Sequence, residues 1–218
     1  MTEIRTLSTT TTGRYLVEPA SRASRSEAPL LMGFHGYGQR AEHLLLELRR
    51  IPGSAGWTFV AVQALHRFYN TKTQEVVGSW MTSLDREQAI QDNLAYVTRV
   101  VAELRADRGN GKLVFAGFSQ GAAMAWRAVA HVSPCHGLIV LGGDLPLDVA
   151  EAPVPRLPPT LIGRGEHDTL YTAPQLAQDL AVLEGRSFKP EVVHFKGGHE
   201  WGPGFLEAVG RFLAAVQG

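Results

Sequence analysis

Short, nearly continuous apolar runs recur along the chain and alternate with longer segments in which apolar residues return every three or four positions. The short runs predict strands at Tyr15–Val17, Leu30–Phe34, Thr58–Gln63, Leu113–Phe118, Leu138–Leu141, Thr160–Arg164 and Glu191–Phe195. Except for the first, these runs are apolar along almost their whole length. Such runs are typical of parallel strands that are covered on both faces.

The longer segments carry the periodicity of helices. They predict helices at Ala41–Arg50, Arg86–Ala106, Gln120–Val132, Ala173–Leu183 and Gly204–Val216. The regular alternation of strand and helix predicts an α/β fold, with a mostly parallel central sheet flanked by helices on both faces and right-handed crossovers. We expect a single domain over residues 1–218 with no large cap, because an inserted lid would need more residues than the chain has free.

Three segments fall outside these periodicities. Ala20–Pro29 is rich in Ser, Arg and Ala and predicts an exposed turn. Ala64–Asp85 is longer than the usual connection between elements, and connections of that length are often functional. Asp144–Pro159 contains five prolines.

Composition narrows the class of protein. Among 218 residues, 21 Lys and Arg balance 21 Asp and Glu, so no basic excess favours nucleic acid or an anionic membrane surface. The single cysteine, Cys135, forms no internal disulfide, which is consistent with a reducing compartment. The N-terminal residues lack a signal peptide's apolar core, and no apolar stretch reaches about 18 residues. We therefore expect a cytoplasmic protein without integral membrane association; its oligomeric state is left open.

The most specific motif is Gly117-Phe118-Ser119-Gln120-Gly121, between a predicted strand and a predicted helix. A tight strand-to-helix turn exposes its central side chain, and the flanking glycines remove side chains that would collide. The hydroxyl of Ser119 is thereby presented as a nucleophile. A serine hydroxyl needs an adjacent base to react near neutral pH.

In this type of turn the partners follow in the chain order serine, acid, histidine. His199 lies in a glycine-containing loop after the last predicted strand and is the expected base, whereas His194 lies within that strand. Asp168 follows the strand before it and is the expected acid, able to orient the histidine and stabilise its charged form. Glu166 and Asp144 remain as alternatives for the acid.

Two backbone N–H groups must face the oxygen that becomes negative during acyl transfer. The residue after the nucleophile, Gln120, supplies one. The loop Phe34-His35-Gly36-Tyr37-Gly38 supplies the other, and we assign it to the Tyr37 N–H. His35 is expected to hold this loop in place and not to act as a second base.

These motifs resemble the carboxylesterase/phospholipase family of the α/β-hydrolase superfamily, which includes acyl-protein thioesterases and small bacterial esterases. They occur in family order from near residue 30 to residue 200. The matching segments are His35-Gly36-Tyr37-Gly38, Gly78-Ser79-Trp80, Gly117–Gly121, Gly142-Gly143-Asp144-Leu145-Pro146, Gly165–Asp168 and Gly197-Gly198-His199.

The resemblance implies an α/β-hydrolase fold without a large cap, and hydrolysis of carboxylic esters or thioesters by a Ser119–Asp168–His199 triad, with neither metal nor cofactor. Trp80 matches a family tryptophan near the acyl pocket, and a buried aromatic explains it equally well. The chain departs from the usual family pattern at Tyr37, at Gly142-Gly143 and at Met81-Thr82-Ser83-Leu84-Asp85.

These departures fall in segments that are expected to line the pocket, so they leave the substrate class open. We expect Trp80, Met81 and Leu145 to contact the substrate. We expect the segments Ala64–Asp85 and Asp144–Pro159 to shape the acyl and leaving-group sites.

The expected function is that of a serine ester hydrolase on small or lipid-like acyl esters or thioesters, with a lysophospholipase or acyl-protein thioesterase as the alternative.

Other classes of protein fit the sequence less well. Gly36–Ala41 matches a dinucleotide-binding fingerprint, but the next strand ends at Gln63 without an acidic residue. His194, His199 and Glu200 match no known metal motif. A non-catalytic protein with a hydrolase fold normally loses a triad member.

Overall fold

Nine strands and six helices lie in the residues that the computed structural model describes, which are 2–22, 28–132, 134–152 and 157–218. The strands are β1 (Arg14–Glu18), β2 (Leu30–Phe34), β3 (Thr58–Gln63), β4 (His66–Tyr69), β5 (Val76–Ser79), β6 (Leu113–Phe118), β7 (Gly137–Leu141), β8 (Thr160–Gly165) and β9 (Glu191–Phe195). The helices are α1 (Ala41–Arg49), α2 (Arg86–Arg108), α3 (Gln120–His131), α4 (Leu147–Glu151), α5 (Ala173–Gly185) and α6 (Pro203–Gln217). A short 3₁₀ turn occupies Ser54–Gly56.

Seven strands form one sheet in the order β1-β3-β2-β6-β7-β8-β9. Only β1 runs antiparallel to its neighbour, and the other strands are parallel. The remaining two strands, β4 and β5, pair as a separate antiparallel hairpin. In the parallel part of the sheet all carboxyl ends meet at one edge, where open α/β sheets hold their ligands.

Side chains of β2 show how the sheet divides the core. Met32 and Phe34 pack with α2, α3 and α5 on one face. Leu31 points the other way and packs with α1 and α6. Both faces of the sheet are therefore covered, which explains why its central strands are apolar throughout.

The predicted α/β-hydrolase fold is confirmed. All seven predicted strands are present, and the five predicted helices are present with ends shifted by no more than two residues. No cap domain is found in the described ranges. None of the helices described is both long enough and apolar enough to cross a membrane.

Two segments that were predicted to lack regular structure contain short elements of secondary structure. Ala64–Asp85 contains the hairpin of β4 and β5, and Asp144–Pro159 contains α4. Pro153 and Pro155 of the latter lie outside the described residues. The predicted exposed turn at Ala20–Pro29 is wrong at its end, because Ala28 and Pro29 are buried; residues 23–27 lie outside the described part.

Gly163 in β8 packs against the aromatic ring of Phe205, on the face of the sheet that α6 covers. A Cβ there would lie 2.2 Å from an atom of the buried Phe205 ring. We expect Gly163→Ala to lower the free energy of unfolding by about 1–3 kcal/mol in urea titrations, as overpacked cores do. Gly185→Ala is the matched control, since a Cβ at Gly185 meets nothing within 4 Å. Equal stability of the two variants would contradict this packing.

Candidate active site

Ser119 occupies the turn between β6 and α3. Its backbone has φ 54° and ψ −121°, a conformation that residues with side chains rarely adopt. A Cβ at Gly117 would lie 2.2 Å from the carbonyl oxygen of Gly121, and a Cβ at Gly121 would lie 2.1 Å from that of Phe34. The turn is therefore possible only with glycine at both positions, and it directs the serine side chain away from the sheet edge.

His199 and Asp168 form a hydrogen-bonded pair. The two side chains come from the loops after β9 and β8, and His199 Nδ1 lies 2.8 Å from Asp168 Oδ2. The other oxygen of Asp168 accepts the backbone N–H groups of Leu170 and Tyr171, both at 2.9 Å. Asp168 is only 4% exposed, so its carboxylate is held from two sides and fixes the Nδ1–H tautomer of His199.

The second ring nitrogen of His199 is available for chemistry. Its Nε2 is shielded from solvent and has no hydrogen-bond partner in the part of the chain that the structure describes. The ring packs on Phe118, immediately before Ser119, with the centroids 4.8 Å apart. Ser119 and His199 line the same cleft.

Two of the three alternatives for acid and base lie outside the cleft. Glu166 is exposed, and His194 is exposed on the edge strand β9. Asp144 lines the cleft, but its Oδ1 faces the Gln175 side chain at 3.3 Å. The structure thus brings Ser119, Asp168 and His199 together and leaves Glu166 and His194 outside.

The loop that carries Tyr37 lies beside the serine turn. A Cβ at Gly36 would lie 3.3 Å from the Ser119 Cβ. Within the described residues, neither the Tyr37 N–H nor the Gln120 N–H is paired with an acceptor. The Tyr37 side chain is 62% exposed and stacks on Phe68 of β4, with the ring centroids 5.5 Å apart.

The segment 78–81 joins this loop to the serine turn, which the sequence did not reveal. Gly38 donates its N–H to the Gly78 carbonyl at 3.0 Å. Trp80 donates its N–H to the side-chain oxygen of Gln120 at 2.8 Å. The segment thus sets the spacing between the two expected oxyanion donors, because it is bonded to both of the loops that carry them.

His35 holds the same loop through hydrogen bonds of both its ring nitrogens. Its Nε2 accepts the Ala64 N–H at 3.1 Å and lies 3.0 Å from Gln63 Nε2, while its Nδ1 lies 2.8 Å from the Gly36 carbonyl. This arrangement requires a neutral ring with the proton on Nδ1. Burial lowers the pKa of His35 to about 4. His35 therefore lies where it can hold the loop, as expected.

The cleft at Ser119 has a volume of about 510 Å³. Met81 and Leu145 line it. Trp80 does not, and the expectation that it reaches the substrate is wrong. Trp80 is fully buried, its Nε1 donates to the His35 carbonyl at 2.8 Å, and its ring packs on Phe34.

Two carboxylates lie along the α5 side of the cleft. Asp179 accepts the Leu145 N–H at 3.0 Å and the Tyr171 hydroxyl at 2.8 Å. Burial raises the pKa of Asp179 and also that of Asp144. Among the described residues that line the cleft, Arg86 is the one lysine or arginine.

No three His, Cys, Asp or Glu side chains of the described ranges cluster as metal ligands do. His194 and Glu200 are both exposed, and Glu200 accepts the Gly198 N–H. His199 is instead engaged by Asp168.

The sheet order, the serine turn and the cleft beside it define an α/β hydrolase. The model of the Phospholipase/Carboxylesterase family matches residues 20–216, and the chain belongs to this family. Among curated proteins, no sequence matches the chain significantly.

Solved structures share the fold at low sequence identity. Esterase PE8 is 23% identical with a TM-score of 0.75, and the match covers 94% of this chain and 100% of that one. The Zea mays acyl-protein thioesterase 2 is 19% identical with a TM-score of 0.75, over 95% and 100% of the two chains. A carboxylesterase from Mesorhizobium loti is 22% identical with a TM-score of 0.70, over 93% and 94%.

The buried His35 generates a pH dependence of stability. Because the folded state lowers its pKa from 6.5 to about 4, the neutral ring stabilises the fold fully above pH 6.5. This stabilisation, up to about 3 kcal/mol from the size of the shift, is lost as the pH falls from 6.5 to 4. Urea unfolding of the wild type should therefore show a steeper loss over this range than His35→Gln.

The control for this titration is His194→Gln, which removes an exposed histidine from β9. It should keep the wild-type dependence on pH. If His35→Gln loses stability with falling pH as steeply as the wild type, the buried ring is not the group that titrates.

Proposed function

We propose that this chain is a serine hydrolase that cleaves carboxylic esters or thioesters through an acyl-Ser119 intermediate. One observation supports this most directly: Ser119 at its strained turn shares a cleft with His199, whose Nδ1 is bonded to Asp168 and whose Nε2 is free. Membership of a family of esterases supports the hydrolase class. The assignment of roles to individual residues is our inference from geometry.

In the proposed mechanism His199 Nε2 accepts the Ser119 proton while the serine oxygen attacks the substrate carbonyl. The N–H groups of Tyr37 and Gln120 bind the oxygen that becomes negative. His199 then gives its proton to the departing alcohol or thiol, leaving the acyl group on Ser119. Water, deprotonated by His199, releases the acid and regenerates the serine. Asp168 stabilises the charged imidazole at both stages.

The substrate in this proposal is a small or lipid-like acyl ester or thioester. A cleft of about 510 Å³ lies in the range of small-molecule sites. A lysophospholipase or acyl-protein thioesterase activity is the second candidate, which the thioesterase among the structural neighbours favours. The zero net charge and single cysteine support a cytoplasmic enzyme without nucleic-acid partners.

A series of p-nitrophenyl esters from acetate to laurate separates these two candidates. Highest kcat/KM on short chains would support the small-ester activity, and highest kcat/KM on long chains would support the lysophospholipase or thioesterase activity.

Replacing the nucleophile tests the mechanism. Ser119→Ala should lose labelling by an active-site phosphonate and lower kcat on p-nitrophenyl esters by about 10⁴-fold or more, because no acyl-enzyme can form. Ser83→Ala is the matched control, since Ser83 is exposed and does not line the cleft. Labelling and turnover of Ser119→Ala at the wild-type rate would refute the proposal.

The charges of the cleft predict a preference among acyl groups. Asp144 and Asp179 outnumber Arg86, so an acyl group with a free carboxylate should react about tenfold more slowly in kcat/KM than a neutral one. The pair to compare is p-nitrophenyl butyrate and the p-nitrophenyl monoester of succinate. Asp144→Asn should narrow the difference, and Asp92→Asn on the exposed face of α2 should not. If the wild-type enzyme hydrolysed both substrates with equal kcat/KM, the predicted preference for neutral acyl groups would be wrong.

A further inference from the structure

Arg164 is a buried cation in β8, between Gly163 and Gly165. The residue is only 8% exposed. The guanidinium donates from Nε to the Tyr171 carbonyl at 2.9 Å and from Nη2 to the Asp168 carbonyl at 3.3 Å. A longer contact of 3.5 Å reaches the Glu166 carbonyl.

No ion pair joins Arg164 to a carboxylate among the residues that the structure describes. A buried guanidinium that is balanced only by carbonyl dipoles loses more hydration than it regains, so it is a poor way to stabilise a fold. A nonpolar side chain of similar volume would fill the same space without that penalty. Stability of the fold therefore does not explain why an arginine occupies this position.

The contacts of Arg164 all fall on one short loop, residues 166–171, which leaves the carboxyl end of β8. This loop carries Asp168. The two shorter contacts are to the carbonyls of Asp168 and Tyr171, which bracket the turn whose N–H groups hold Asp168 Oδ1. The remaining oxygen of Asp168 is the one bonded to His199.

We propose that Arg164 is a positioning residue that fixes the 166–171 turn and thereby aims the Asp168 carboxylate at His199 Nδ1. The inference rests on the proposed function, because the Asp168–His199 pair matters only if His199 is the base. Arg164 contacts neither the cleft nor Ser119, so it acts through Asp168. A displacement of about 1 Å in such a support lowers the rate by about 10²-fold.

The test compares Arg164→Met, which keeps the volume and removes every donor, with Arg164→Lys, which keeps the charge and part of the donor capacity. We expect kcat of Arg164→Met on a p-nitrophenyl ester to fall about 10²-fold with KM changed less than threefold. We expect Arg164→Lys to recover about tenfold of this loss and so to remain about tenfold below the wild-type kcat, because an ammonium cannot reproduce the fork of guanidinium donors.

A pH profile separates positioning from a loss of stability. A displaced Asp168 stabilises the charged form of His199 less. The acidic limb of kcat/KM should therefore move to lower pH in Arg164→Met. In the same variant, the downfield ¹H NMR signal of the His199 Nδ1 proton should shift upfield or be lost.

The matched control is Lys112→Met. Lys112 directly precedes β6, at the amino ends of the parallel strands and so away from the cleft. Lys112 Nζ also donates only to carbonyls, those of Val216 and Gln217 at the end of α6. We expect this variant to lower the melting temperature but to keep the wild-type kcat, acidic limb and downfield signal.

Arg164 is only a structural residue if Arg164→Met melts earlier but keeps the wild-type kcat, acidic limb and NMR signal. Should Arg164→Met not fold, Arg164→Lys decides: wild-type values in all three measurements would overturn the proposal. The NMR signal reports on the Asp168–His199 pair without turnover. It therefore tests Arg164 even if Ser119→Ala shows that the proposed function is wrong.

Discussion

The candidate site depends on a close approach of backbones at the carboxyl ends of β2 and β6. These strands are neighbours in the sheet, with Phe34 opposite Gly117. At the turn that follows, the Cα of Gly121 approaches the Phe34 carbonyl so closely that no side chain fits between them. This contact presses the first turn of α3 against the loop after β2. Both expected oxyanion donors and the serine are placed by it, because all three belong to these two segments.

Side chains that support this contact are hydrogen-bonded, whereas the groups expected to perform the chemistry, namely the N–H groups of Tyr37 and Gln120 and the Nε2 of His199, have no partner among the described residues. His35 is bonded through both ring nitrogens, and both oxygens of Asp168 accept hydrogen bonds. Unpaired buried polar groups cost free energy, so such networks hold their members in one arrangement. The Nε2 atom of His199 is shielded from solvent and has no partner in the part of the chain that the structure describes. A polar atom that has been positioned and left without a partner is suited to accept a proton from a group that arrives or reorients during reaction.

The sequence predicted most of the sheet and the serine turn because both follow from strong local signals. Buried parallel strands must be apolar throughout, and the turn at Ser119 requires two glycines at fixed spacing. The hairpin of β4 and β5 was missed because β4, His66–Tyr69, is largely exposed and shows no apolar pattern. α4 was missed because five residues are too few to show helical periodicity. The burial of Trp80 depends on Phe34 and His35, which are distant in sequence, so no local pattern could separate core from pocket.

The missed and misassigned features share a location. The groups expected to perform the chemistry lie at strand ends, where the sheet fixes their spacing, whereas Trp80, the hairpin of β4 and β5, and α4 lie in the connections between the strands of the large sheet. Those connections can change without disturbing the strand ends, which is why one hydrolase fold accepts many substrates. Here they contribute apolar side chains, and α5 faces them with Asp179, which holds Leu145 in place. Asp179 therefore holds part of the apolar wall of the cleft and, together with Asp144, contributes to its charge, so a substitution at Asp179 changes the shape and the charge of the cleft at the same time.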